Sequence, residues 1–370
     1  MSSVDITKVN SIPRKSFSST SSSSISISIS ETSNDGKGLK EKPKKKKMNK
    51  FLKIVLWILG ILLFIVIAYI IWTVICNITE RNKLDKYAKT HTNKVEIDGH
   101  MMNYNIAGES NNITIIALPG FATYAPVIEY KSLYDSLSDK FKVVVPEPFG
   151  YGFSDSVDKE RTLENVVSEL HEFTKKIGID KYYLMGHSLG GLYSLYWANH
   201  HTNETLGFIG LDCSVPGQEP LGTKESIDST YNSARIYKKL GLLRVASLLN
   251  KKETLMATDF NYKNMTEEEI EINRLIAVNN AYNDCIMNEK DHIFDHLEKL
   301  KDVKFPESVP VINFVTQDNP NGIQDPLWVK LHEQVITNKT HSEVDVIPGG
   351  HFLHYTHKEE VVKKIKEWVI

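Results

Sequence analysis

Four stretches of this chain carry residue types that together could perform nucleophilic chemistry. The first is "MGHSLGG" (Met185 to Gly191), where Ser188 stands between Gly186 and Gly190. A serine hydroxyl is a weak nucleophile until a base takes its proton. The G-x-S-x-G spacing presents such a hydroxyl on a sharp strand-to-helix turn, which leaves no room for side chains two residues before or after it. An apolar run, Tyr182–Met185, precedes this turn, and a helix-like pattern follows it. An ordinary tight turn is the alternative reading of the same letters.

The base should come late in the chain. His351 lies in "VIPGGHFLHYTH", after a strand-like run and a Gly-Gly turn. Its imidazole is the candidate acid–base group. His354 reads as a wall of the same site, and His357 as a surface residue at a helix start. Negative charge developing on an attacked carbonyl needs two backbone N–H donors. Leu189, after the serine, is one candidate. Phe121 in "PGFATYAP" is the other, with Ala122 second, and Gly120 lets the backbone approach. A carboxylate must hold the far nitrogen of the imidazole. Asp212 in "GFIGLDCSVPG" and Asp318 in "VTQDNPNG" both qualify. Each ends a strand-like run, and ligands bind at the carboxyl edge of a parallel sheet. Each could equally be a turn or cap residue.

The elements that must position these residues alternate in type. Strand-like runs fall at Lys94–Ile97, Met101–Ile106, Ile113–Leu118, Lys142–Val145, Tyr182–Met185, Gly207–Leu211, Val309–Val315 and Glu343–Ile347. Amphipathic stretches lie between them, such as "TLENVVSELHEFTKKIG", with Thr162 as a plausible N-cap and Gly178 as a stop. This alternation predicts an α/β fold: a mostly parallel, doubly wound sheet with helices on both faces. The long gap before Val309 reads as helices at Ser226–Leu249, Thr266–Asn283 and Asp291–Leu300, a helical cap over about 214–308.

The 370 residues divide unevenly. Residues 1–50 are Ser-rich and then Lys-rich, with too little apolar bulk to pack, and are expected to be a disordered tail. Residues 51–79 are expected to form a transmembrane helix. The run Ile54–Thr79 carries no charge over 26 residues, more than the roughly 20 needed to cross a bilayer core. A cleavable signal would have a shorter apolar core ending at small residues. The lysines before it predict a cytoplasmic tail and a single pass. The linker 80–92 and the domain 93–370 would then lie on the extracytoplasmic side. A net charge of −2 excludes a generally nucleic-acid-binding chain. Three cysteines without a CxxC pair give no zinc motif, and a Cys213–Cys285 bridge stays open. No metal or organic cofactor is expected.

Gly120-Phe121, "FGYGFSD" (Phe149–Asp155), "GHSLGG" and "GGH", in this order, resemble the α/β-hydrolase superfamily over roughly residues 93–370. The resemblance implies a serine esterase or lipase that hydrolyses a small-molecule ester or amide through an acyl-enzyme. In that family the acid usually follows the strand after the cap, in a G-x-x-D-P-like turn. Here the run is "TQDNP", with Asn319 at the usual acid position and Asp318 one place early. A subset places the acid before the cap with proline four residues later, as in "DCSVP" (Asp212 to Pro216). Pro119-Gly120 replaces the family's His-Gly. Dehalogenases and epoxide hydrolases of the family use an aspartate nucleophile where Ser188 stands. Leu240, Leu242, Leu243 and Leu248 of the cap are candidate acyl-chain contacts. A proline-releasing aminopeptidase, using glutamates of "MTEEEIEI" (Met265 to Ile272), and a non-catalytic receptor or adhesion protein are the competing expectations.

Overall fold

All eight expected strands form one sheet in the order β1-β2-β4-β3-β5-β6-β7-β8. They are β1 Asn93–Ile97, β2 His100–Ala107, β3 Thr114–Leu118, β4 Lys142–Pro146, β5 Tyr182–His187, β6 Thr205–Leu211, β7 Val311–Thr316 and β8 Glu343–Ile347. The structure, a computed structural model, describes residues 47–220, 222–249, 265–317 and 326–370. The Ser-rich tail and Asp318 lie outside them.

Strands β3, β5 and β7 are buried along their whole length. That burial is why they read as unbroken apolar runs instead of alternating ones: a parallel sheet is covered on both faces. Strands β1 and β2 pair antiparallel at the edge, and β2 pairs antiparallel with β4. Asp98 and Gly99, both at positive φ, turn the β1–β2 hairpin, as Asp-Gly turns do. The remaining pairs are parallel.

Helices cover both faces. Helix α1 (Lys50–His91) is followed by α2 (Pro126–Glu129), α3 (Lys131–Leu137), α4 (Leu163–Lys176) and α5 (Gly190–His200). Thr162 caps α4 by accepting from Asn165 N, as its sequence predicts. Val166, Leu170 and Phe173 of α4 pack with Leu192 and Trp197 of α5 in one apolar cluster. Leu133 and Leu137 of α3 pack on the other face with Val361 and Ile365 of the C-terminal helix.

Among the described residues between β6 and β7, four helices form the cap: α6 (Lys224–Lys239), α7 (Leu242–Leu249), α8 (Glu267–Asn280) and α9 (Asp284–Leu300). The single helix expected over Ser226–Leu249 is broken at Leu240-Gly241, where Gly241 takes positive φ. The helix expected over Thr266–Asn283 ends at Asn280. Tyr282 takes φ 54, and Asn283 caps α9 through Ile286 N. Helix α9 therefore starts seven residues before the expected Asp291. After β7 come α10 (Pro326–Gln334), α11 (Leu353–Thr356) and α12 (Lys358–Trp368).

The chain divides into two units at Leu62–Leu63. The described part of the first is residues 47–62, most of it helical. In the second, α1 continues from Leu63 through His91, so the segment 80–92, expected to be a linker, is helical nearly throughout. Leu84 packs with Ala125, Ile128, Ile272 and Leu275 in a third apolar cluster. Glu80 accepts from Arg244 of α7, with Nε 3.1 Å and Nη2 3.0 Å away, and from Asn279 of α8 at 3.0 Å. These contacts give the helix a fixed seat on the cap.

Candidate active site

The strand order reverses between β3 and β5, and there the chain places the loop after β3 beside the turn after β5. Ser188 occupies that turn with φ 50, a left-handed conformation that costs a non-glycine residue energy and persists only where the surroundings enforce it. The enforcement is steric. A Cβ on Gly186 would lie 2.7 Å from the Gly190 carbonyl oxygen, and one on Gly190 would lie 2.6 Å from Leu118 O. A side chain at either position would push the elbow off the sheet. The Ser188 carbonyl accepts from Gly191 N at 2.9 Å and Ser214 N at 2.7 Å. The second bond ties the elbow to the loop after β6. Ser188 is half-buried.

Asp212 ends β6 at the same edge and is fully buried. Its Oδ2 accepts from His351 Nδ1 at 2.7 Å. Its Oδ1 accepts from Thr316 N and Oγ1, both at 3.0 Å, and from Trp328 Nε1 at 2.9 Å. Burial pushes its pKa up, but the His351 bond and charge, with Thr316 and Trp328, outweigh it and hold the carboxyl below its ordinary range. The structure thus brings Asp212 to His351, while Asp318 lies outside the described residues. In the sequence Thr316 stands where the family's turn has glycine, and neither it nor Trp328 reads as a partner of the acid. No local pattern marks them, because their role comes from β7 and α10 flanking β6.

With Nδ1 bound to Asp212, Nε2 is the ring nitrogen of His351 left for proton transfer. The His351 backbone also meets the elbow: its carbonyl lies 3.3 Å from His187 Nε2. The His187 ring packs between His351 and His354, with centroids 4.7 and 4.4 Å away. Burial, then the charges of His354 and His351, pushes the His187 pKa well down. His354 is fully buried, and burial lowers its pKa to about 3. Both histidines are therefore neutral walls of the site. His357 stands at the start of α12, as its sequence suggests.

The loop after β3 is held as tightly. A Cβ on Gly120 would lie 3.0 Å from Ser188 Cβ, so only glycine brings this loop against the elbow. Ala122, at φ 58, donates its N–H to Tyr151 Oη at 3.2 Å. Tyr151 in turn donates to Glu289 of α9 at 2.5 Å, as does Tyr193 of α5. Burial raises the Glu289 pKa against these two bonds. The amides of Phe121 and Leu189 have no protein acceptor among the described residues.

Ala122, Tyr124, Gly150, Tyr231, Tyr282 and Ile286 line a cavity between this loop and the cap. Two glutamates of "MTEEEIEI" have other partners. Glu269 closes a capping box with Thr266, and Glu271 bonds Arg274. Cys213 and Cys285 are separate buried thiols. Among the described residues, one group of metal-ligand types, His171, His201 and Glu204, has its donor atoms within 4.8 Å of one another. It lies by the start of β6, at the opposite edge from Ser188. The Glu204 carboxylate there bonds His171, Tyr182 and Lys175.

Residues 113–230 match the family described as the alpha/beta hydrolase fold. The chain is 23% identical over 279 residues to the uncharacterized protein YbdG of Bacillus subtilis (strain 168), covering 74% of this chain and 84% of that protein. It resembles the solved epoxide hydrolase CorEH at TM-score 0.58 and 19% identity, over 75% of this chain and 97% of that one. It also resembles a structure described as a membrane phospholipase A and bacterial virulence factor. That match has TM-score 0.53 and 15% identity, over 85% and 97% of the two chains. The sheet order, the elbow and these likenesses together make the chain an α/β-hydrolase by fold.

Proposed function

We propose that this chain is a membrane-anchored serine hydrolase that cleaves carboxylic esters through an acyl-enzyme. The observation that carries the reading is the fully buried Asp212 carboxylate 2.7 Å from His351 Nδ1, beside a strained elbow that bears Ser188. A serine rather than a carboxylate at the elbow favours acyl transfer over the epoxide opening named for one similar structure. Ser188 Oγ attacks the ester carbonyl carbon, and its proton passes to His351 Nε2. Asp212 holds the imidazole in the required tautomer and balances the imidazolium. The Phe121 and Leu189 amides donate to the oxyanion, since the Ala122 amide is engaged by Tyr151. Collapse expels the alcohol with the proton from His351. Water, deprotonated by His351, then attacks the acyl-enzyme, releasing the carboxylic acid and restoring Ser188.

The anchored part of the reading rests on α1, whose most apolar window has a mean hydropathy of 3.2 and no buried residue. A soluble core helix would be covered. A cleaved signal would not be seated on the cap through Glu80 and Arg244. The likeness to a structure described as a membrane phospholipase A supports both parts. The lysines before the span favour an extracytoplasmic side for the domain.

A membrane-impermeant fluorophosphonate applied to intact cells tests both. The expected result is labelling of the full chain and none of Ser188→Ala. Labelling only after lysis would reverse the orientation, and no labelling in either case would remove the serine chemistry.

A further inference from the structure

Helix α1 carries its polarity on the wrong side for a helix in water. From Leu63 onward its cap-facing side uses Tyr69, Thr73, Asn77 and Glu80. Ile70, Ile71, Val74, Ile75 and Ile78 are left exposed. Tyr69 Oη donates to Leu240 O at 2.8 Å. A Cβ on Gly241 would lie 3.0 Å from Tyr69 Oη and 3.1 Å from Thr73 Cγ2. The corner between α6 and α7 is therefore seated on residues inside the charge-free run. A partner covering the corner must lie where those isoleucines are also covered, and a bilayer meets that condition.

The cap surface at this corner is itself apolar. Ile236, Tyr237, Leu240 and Leu242 are each 44–57% exposed, and α6 buries none of its residues. Cations border this patch. Arg81, Lys238, Lys239 and Arg244 line a groove of about 300 Å³ with Asn77 and Thr73. Burial, then Arg235, lowers the Lys238 pKa to about 8. An apolar face edged by Lys and Arg is the pattern of a protein surface that sits at the headgroup level.

The patch also leads inward. Ala234, Tyr237, Leu242, Leu243, Ala246 and Tyr282 line a largely apolar groove of about 300 Å³. Tyr282 is also a wall of the cavity that reaches Ala122, next to the Phe121 amide and the elbow. Tyr282 thus joins the groove at the exposed corner to the cavity beside the loop after β3.

We propose that the α6–α7 corner rests in the bilayer and admits a membrane phospholipid sideways. Its phosphate would lie against Arg81, Lys238 and Lys239, and an acyl ester would pass along Tyr237, Leu242 and Tyr282 to Ser188. The proposal names the substrate class of the anchored esterase read above and rests on that reading. Hydrolysis adds one water across the ester bond and yields a fatty acid and a lysophospholipid.

The test uses the full chain in vesicles of phosphatidylcholine with phosphatidylglycerol. Flotation with the vesicles checks the anchor, and turnover of a short water-soluble ester checks the hydrolase. Fatty-acid release from the vesicle lipid checks the proposal. The parent is expected to do all three. In Ile236→Asp and in the double variant Lys238→Glu/Lys239→Glu, the ratio of lipid to soluble-ester turnover is expected to fall by about tenfold or more. A parent that floats and cleaves the soluble ester but leaves the lipid intact overturns the proposal alone. Unchanged ratios in both variants overturn it too. Failure to float, or to cleave the soluble ester, removes the reading beneath it.

Discussion

Asp212 accepts four hydrogen bonds, from His351, the Thr316 amide and hydroxyl, and Trp328. Three fall on Oδ1 and one on Oδ2, so the carboxylate is fixed through both oxygens. If it orients His351, Asp212→Asn keeps the volume but removes the charge and sets an amide against Nδ1. Turnover of a soluble ester should fall by about 10²–10⁴, with the fold retained. Full activity in this variant would hand the acid's role to another group, Asp318 first. "DCSVP" and "TQDNP" each offered a carboxylate at a strand end. Only the meeting of β6, β7 and the loop after β8 shows Asp212 against His351, because the bond spans 139 residues of chain. Ser188 was legible without the fold. Its constraint is local, since the glycines two residues on either side remove the atoms that would collide at the elbow.

Among the elements, strands were more legible than helix ends. Apolar runs of strand length, rich in β-branched residues and bounded by turn residues, are told from buried helix by their length and flanks. The cap helices were displaced by single residues, Gly241 and Tyr282, whose positive φ breaks a pattern that reads as continuous. The seat of α1 on α7 was not legible at all. Glu80 sits just beyond the apolar run and reads as a flanking surface charge, yet its side chain is 11% exposed and that of Arg244 6%. Removing one partner of a buried pair leaves the other uncompensated, at a cost of about 3–5 kcal/mol. Arg244→Met in the detergent-solubilised full chain should therefore lower Tm clearly and expose the end of α1 to protease. A Tm equal to the parent's would mean that the pair contributes little to holding helix and cap together.

In the molecule as a whole, buried titratable groups pull in opposite directions. Burial lowers the pKa of His296 to about 4 and of His354 to about 3, and raises Glu129 to about 7. A histidine with a depressed pKa binds its proton more weakly folded than unfolded. Its contribution is full above about pH 6.5 and declines as pH falls toward the folded value. A carboxyl with a raised pKa does the reverse, contributing most below its unfolded value and losing that as pH rises toward 7. The two classes offset each other, so the test is a difference. His354→Phe should gain Tm relative to the parent as pH falls from about 7 to 5, and a difference that does not change with pH would contradict a neutral buried His354.

The sequence alone determined whatever depends on neighbours a few residues apart. That covers the alternation that builds an α/β sheet, the glycine-pinned serine, the capped helix α4 and the charge-free run long enough for a bilayer. Only the tertiary structure decided which carboxylate meets the imidazole, which amide of the "GFA" turn is already engaged, and where α1 rests on the cap. Those contacts join residues far apart in the chain. They are set by which strands lie side by side and by which polar groups must be satisfied once buried, and local spacing does not encode either.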